Sequence, residues 1–203
     1  MPRRPDLPPL AEEDHSCAEC GLDYAAVATA QAFDTVAGLA DRYRAAVDAV
    51  PVDDRGARPA AEVWSVAEYV CHVRDVFVAS TIRLYRVRVE DEPAVEPLFN
   101  DLRAARFGYA RRDLGPVLDE LADDVAGFVA EVSRVAHPDG WDRVCTRLPH
   151  ERRTARWLVR QALHEGVHHL ADVEQVAAQV QERLGGGEPT RTACSGDRTE
   201  GTS

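Results

Sequence analysis

The sequence predicts an all-α protein built as a four-helix bundle. Three observations carry that prediction. Four stretches repeat their apolar residues at three- and four-residue steps. Loops bearing Pro and Gly separate them, and the alternation Val87-Arg88-Val89 is too short to argue for a strand. The 203 residues, 45% of them hydrophobic and 29% charged, suffice for one domain with a real core.

Residues 1 to 14 are proline-rich and charged and are expected to be poorly ordered. Cys17-Ala18-Glu19-Cys20-Gly21 then has the shape of one zinc knuckle, in which a tight turn offers two thiolates to one metal. A closed tetrahedral site needs two more ligands, and Cys145, His15 and His150 are the candidates. A thiol-exchange pair and incidental cysteines are the other readings. With an odd total of five cysteines, a disulfide framework is not expected.

The first helix is expected over 25–49, where Ala28, Ala32, Val36, Leu39, Tyr43, Ala46, Val47 and Val50 form its stripe. Pro51 ends it, and a polar loop runs to Val63. Ser65-Val66-Ala67-Glu68 spells a capping box, with Trp64 ahead of it to staple the turn. The second helix follows to about Val89 and presents Val66, Tyr69, Val70, Val73, Val76, Phe77 and Leu84 on one side. His72 lies one residue from that stripe, as either a hydrogen-bonded core-edge histidine or a ligand. Cys71 reads as a small buried hydrophobe.

Residues 91–112 form a long connection with Pro93 and Pro97 and a short helical patch around Leu98 to Tyr109. Asp113 caps a third helix that carries Leu114, Val117, Leu118, Leu121, Val125, Phe128 and Val132, and His137-Pro138-Asp139-Gly140 stops it. Residues 141–153 read as irregular. Thr154 caps a fourth helix that runs to about Leu184. The remainder has little to bury and is expected to be disordered, with Cys194 a bystander. The chain thus divides into an extension over 1–24, a bundle over 25–184 and a tail over 185–203.

Chemistry concentrates in Leu163-His164-Glu165-Gly166-Val167-His168-His169-Leu170. Four residues on a helix leave His164 and His168 about 40° apart in projection, so both can grip one metal. His169 is rotated about 100° from His168 and is the poorer candidate. The letters also spell His-Glu-x-x-His, the zincin signature, with Glu165 as base. Ala171 and Glu174 stand where its extended form needs Gly and His, and the helix continues without the turn that a second-helix Glu would require. Two histidines hold metal weakly, so a third ligand from elsewhere in the chain decides the matter. A bundle builds such sites from inward side chains on facing helices, which nominates His72.

Net charge is −11, and every basic side chain is Arg, since the sequence contains no Lys. An acidic balance argues against a nucleic-acid partner. No 18-residue apolar run and no signal-peptide pattern occur, so the protein is expected to be cytoplasmic with no membrane partner.

Trp64-Ser65-Val66-Ala67-Glu68-Tyr69-Val70-Cys71-His72 and His164-Glu165-Gly166-Val167-His168 resemble the DinB-like superfamily, which includes mycothiol-dependent enzymes. The resemblance covers roughly residues 25–184. It implies up-down-down-up connectivity with the long crossover between the second and third helices. It also implies a metal triad of His72, His164 and His168 with an open fourth position. Zinc, nickel, iron and manganese all suit such a site. The knuckle is an addition to the family pattern, with Cys17, Cys20 and Cys145 as the candidate second site.

The leading expectation is a thiol S-transferase, in which the metal holds a small-molecule thiol such as mycothiol as thiolate for attack on an electrophilic substrate. Arg156 and Arg160, with Arg152 and Arg153, are candidate anchors for carboxylates, or else a solvated face. Glu165 is a weak candidate for base. The alternatives are a metal-assisted hydrolase and a non-catalytic metal-binding stress protein. A homodimer through exposed helix faces is a further expectation.

Overall fold

Apolar periodicity becomes helix at each of the four expected places in the computed structural model, which describes residues 9–135, 139–148 and 150–185. The first helix is two segments, α1 (Thr29–Ala37) and α2 (Leu39–Asp48), joined at Gly38. It starts later than the sequence pattern suggests because residues 25–28 turn on Asp23. The second is α3 (Val66–Val89). Its capping box forms as expected: Glu68 N–H donates to Ser65 Oγ at 3.3 Å, and Ser65 N–H donates to the Glu68 carboxylate at 2.9 Å.

The crossover contains α4 (Asn100–Phe107), close to the expected patch, which ends on Gly108 in the left-handed region at φ 59°. Asp75 of α3 ties the crossover down by accepting from Arg103 at 2.7 Å and from the Tyr109 hydroxyl. The third bundle helix is α5 (Leu114–Val135), with Asp113 accepting from Gly115 N–H at 3.1 Å. The expected stop at His137 and Pro138 lies outside the described residues, as do the expected tail and Cys194. The fourth is α6 (Ala155–Gly185), opened by Thr154, whose hydroxyl accepts from Trp157 N–H at 3.1 Å.

In the bundle, α3 packs against α5 and α6, and α2 packs against the same two. The α1–α2 helix and α3 therefore occupy diagonal corners. The shared core includes Leu39 and Tyr43 of α2, Phe77 and Leu84 of α3, Leu121 and Phe128 of α5, and Leu170 of α6, all buried. Gly166 lets α6 come close: a Cβ there would sit 2.6 Å from Leu39 Cδ1. Tyr43 uses the same approach to donate its hydroxyl to Gly166 O at 2.8 Å.

Two regions differ from expectation. Residues 141–153, read as irregular, contain a hairpin of β1 (Val144–Thr146) and β2 (Arg152–Thr154), with Cys145 opposite Arg153. Arg147 and Glu151 pair at 2.7 Å across its loop, a contact between positions four apart that composition does not reveal. The extension is also held in place from Pro9 onward. Leu10 N–H donates to Glu151 at 3.0 Å, Arg153 donates to the carbonyls of Leu10 and Ala11, Trp157 Nε1 donates to Glu12 O, and Thr154 donates to Glu13. Its order comes from partners on the hairpin and α6, 140 or more residues away in sequence.

Candidate metal centres

α6 carries two interleaved pairs at i, i+4 spacing, His164 with His168 and Glu165 with His169. Each pair spans one turn, and the two are offset by about 100° around the axis. They serve different neighbours. Glu165 and His169 face α3, where they meet His72. His164 and His168 face the extension, where they meet Cys17 and Cys20.

The centre facing α3 is formed by His72, Glu165 and His169, one ligand atom from each lying within 4.8 Å of the others. His72 Nε2 is 3.1 Å and His169 Nε2 is 3.2 Å from the same oxygen, Glu165 Oε2. Asp172 holds the other ring nitrogen of His169, Nδ1, at 2.8 Å. A proton kept on Nδ1 by that carboxylate leaves the Nε2 lone pair available, the arrangement by which ligating histidines are oriented. Burial pushes the His169 imidazole down, but the bonds to Asp172 and Glu165 outweigh it and raise its pKa to about 9. Burial likewise pushes the Glu165 carboxyl up, and the bonds to His169 and His72 outweigh that and hold it well below the usual carboxylate range. A divalent cation would sit at the place where these three side chains meet. Two imidazoles and a carboxylate converging on one point fit such a cation, with a side left open.

That open side faces a cavity of about 570 Å³, in the range of small-molecule sites. His72, Glu165, Gln161 and Trp157 line one part of it, and Pro9, Leu10 and Ala11 of the extension another. Arg83, Arg147 and Arg153 also reach it. Arg147 pairs with Glu151, and Arg153 lies 3.3 Å from Glu12. Arg83 donates to the Glu96 carbonyl and, among the described residues, has no carboxylate within ion-pair distance.

The sequence-derived triad is therefore divided. His72 stays with the α3-facing centre, where Glu165 and His169 stand in place of His164 and His168. Glu165, a weak base candidate by sequence, is one of the three side chains that could hold a metal there. The neighbours of the knuckle also differ from expectation. Cys145 is buried in the hairpin with its thiol directed at Arg153 O, 3.6 Å away, and His164 and His168 take its place beside Cys17 and Cys20. Arg156 and Arg160 line a separate small pocket with Trp141, away from the cavity, and Arg156 pairs with Asp142 at 3.0 Å. Sequence reasoning missed His169, Asp172, Gln161 and Arg83. The Glu165–His169 spacing was a usable signal, because it equals the spacing of the histidine pair beside it.

Comparison with curated proteins gives no match. Among solved structures, YfiT from Bacillus subtilis is similar, with 16% sequence identity and a TM-score of 0.68 over 79% of this chain and 91% of that one. It is described as a probable metal-dependent hydrolase with an unusual four-helix bundle topology. The family pattern of the DinB superfamily matches residues 35–173, from the end of α1 through the segment of α6 that carries both pairs. The chain belongs to the DinB superfamily.

Proposed function

We propose that the protein is a metal-dependent thiol S-transferase, acting on an electrophilic small molecule with a low-molecular-weight thiol such as mycothiol. His72, Glu165 and His169 would hold the metal. When bound there, a divalent cation lowers the pKa of a ligand at its open position and so supplies a nucleophile at neutral pH.

The observation that supports the thiol reading is the commitment of Glu165 and Glu151 on the cavity wall, Asp101 being exposed at its rim. Glu165 is engaged by His72 and His169, and Glu151 by Arg147. Neither is left to take a proton from a water molecule. A thiol, with an ordinary pKa of about 8.5, needs far less help to ionise than water at about 15.7. The cavity volume also leaves room for a cosubstrate together with its acceptor. Arg83 offers a guanidinium to a carboxylate on either one, and the apolar walls from Val76, Val95 and Leu158 exclude water from the electrophile.

A hydrolase is the second reading, favoured by the donor set. Two histidines and a glutamate around an open position also suit a bound water. The test is turnover of an activated electrophile, such as a chlorinated aromatic, by metal-loaded protein with and without added mycothiol. The transferase reading expects turnover only with thiol and a thioether product. Equal rates in thiol-free buffer, with hydroxylated product, would establish the hydrolase instead.

A further inference from the structure

Cys17, Cys20, His164 and His168 bring one ligand atom each to within 4.8 Å of one another where the extension crosses α6. We propose that these four residues form a closed zinc site that clamps the N-terminal extension onto α6 and so fixes one wall of the cavity.

The spacing suits the ion. Zinc bonds of about 2.3 Å to sulfur and about 2.0–2.1 Å to nitrogen, at a tetrahedral angle, place the two donors about 3.6 Å apart. Cys17 Sγ lies 3.6 Å from His168 Nδ1. The other nitrogen of His168, Nε2, is 3.3 Å from Glu19 and 3.9 Å from Asp172. A proton directed at those carboxylates leaves Nδ1 as the donor toward Cys17.

His164 presents the complementary nitrogen, and a chain of hydrogen bonds decides which one. Gln161 donates its amide nitrogen to Glu165 Oε1 at 2.6 Å, which leaves its amide oxygen on the other side. Gln161 Oε1 then faces Tyr24 and accepts its hydroxyl proton at 2.6 Å. With that proton committed, the Tyr24 oxygen accepts from His164 Nδ1 at 3.0 Å. His164 thus carries its proton on Nδ1 and a bare lone pair on Nε2. That Nε2 is buried and, among the described residues, is the side-chain polar atom left with no hydrogen-bond partner. A buried acceptor without a partner is costly, and a metal at this place resolves the cost.

The cysteines are shaped for the same ion. Both are free thiols. Gly21 takes φ +73°, in the left-handed region that a tight turn needs, and its N–H donates to Cys17 O at 2.9 Å. Two thiolates and two imidazoles select zinc over the harder cations and leave no open position. The site is therefore structural. Its mechanical effect reaches the cavity because Pro9, Leu10 and Ala11, only a few residues before the knuckle, line it.

The experiment is metal counting and cobalt spectroscopy on the full-length protein. Zinc-loaded wild type should hold two ions per chain, with one in Cys17→Ser and one in His72→Ala. Cobalt-loaded wild type should show thiolate-to-cobalt charge-transfer absorption in the near ultraviolet. That band should persist in His72→Ala and vanish in Cys17→Ser. Two ions retained in Cys17→Ser, or no thiolate band in cobalt-loaded wild type, overturns the proposal. If the serine variant does not fold, the wild-type and His72→Ala spectra decide by themselves. The band reports on this site alone, whereas loss of turnover in His72→Ala concerns the cavity centre.

Discussion

His168 and His169 are adjacent in sequence and serve different centres: His168 Nδ1 lies 3.6 Å from Cys17 Sγ, and His169 Nε2 lies 3.2 Å from Glu165 Oε2. One residue of helix turns the side chain by about 100°, enough to move from the extension to α3. Asp172 stands between them, 2.8 Å from His169 and 3.9 Å from His168. Two candidate metal centres on one helix thus share a neighbouring carboxylate while facing different side chains.

Removing His169 should act on turnover directly. His169→Ala takes away one of three donors at the cavity, so the bound metal there should be lost and kcat/KM should fall by at least about 100-fold, the scale on which loss of a supporting group already acts. His168→Ala should keep the cavity ion, as read by metal analysis after partial chelation. Loss of the cavity ion in His168→Ala with its retention in His169→Ala would restore the triad that the sequence suggested.

Asp172→Asn keeps the size of the side chain and removes the charge that orients His169. Metal affinity at the cavity centre should drop by about 10- to 100-fold. Competition with a chromophoric chelator measures it, and an unchanged affinity would mean that Asp172 does not hold the His169 tautomer.

Arg83→Ala should raise KM for an anionic substrate or thiol while leaving the metal count unchanged. Arg83 reaches the cavity without a carboxylate partner among the described residues, so an anionic group would meet an uncompensated guanidinium. Steady-state kinetics with charged and neutral analogues separate this from a general loss of fold.

Gly166→Ala should destabilise the fold by about 1–3 kcal/mol, the usual cost of forcing an extra group into a packed core. The added Cβ would sit 2.6 Å from Leu39 Cδ1 and 3.3 Å from Phe77 Cζ. Urea denaturation gives the stability. Because Gly166 follows Glu165, metal affinity at the cavity should fall with it.

Acid should loosen the crossover from α3. Burial pushes the Asp75 carboxyl up, but Tyr109, Arg103 and Arg74 outweigh it and hold it below its ordinary 3.8. A carboxylate whose pKa is lower in the folded state contributes stability above the unfolded value, and that stability is lost as pH falls through the folded one. Unfolding free energy should therefore decline below about pH 4, and Asp75→Asn should flatten that decline. The comparison of the two urea-unfolding profiles between pH 3 and 6 tests this.

The helices were legible because their causes are local. The Ser65–Glu68 box, the Thr154 cap and the three- and four-residue steps of Val, Leu and Phe act within a turn or two of chain, and each appears where the pattern put it. The burial of Cys71 was legible from its residue type, since a free Cys packs like a small hydrophobe. The residues of the candidate metal sites were also present in the sequence: three histidines and a glutamate in six residues, His72 on another helix, and a knuckle near the start. What it could not contain was the partition of those donors. Pairs offset by one residue have identical spacing, so either pair of α6 satisfies the same pattern. Only the rotation of α6 against α3 and α2, set by the close approach at Gly166 and the Tyr43 bond to its carbonyl, turns Glu165 and His169 toward His72 and leaves His164 and His168 to the cysteines of the extension.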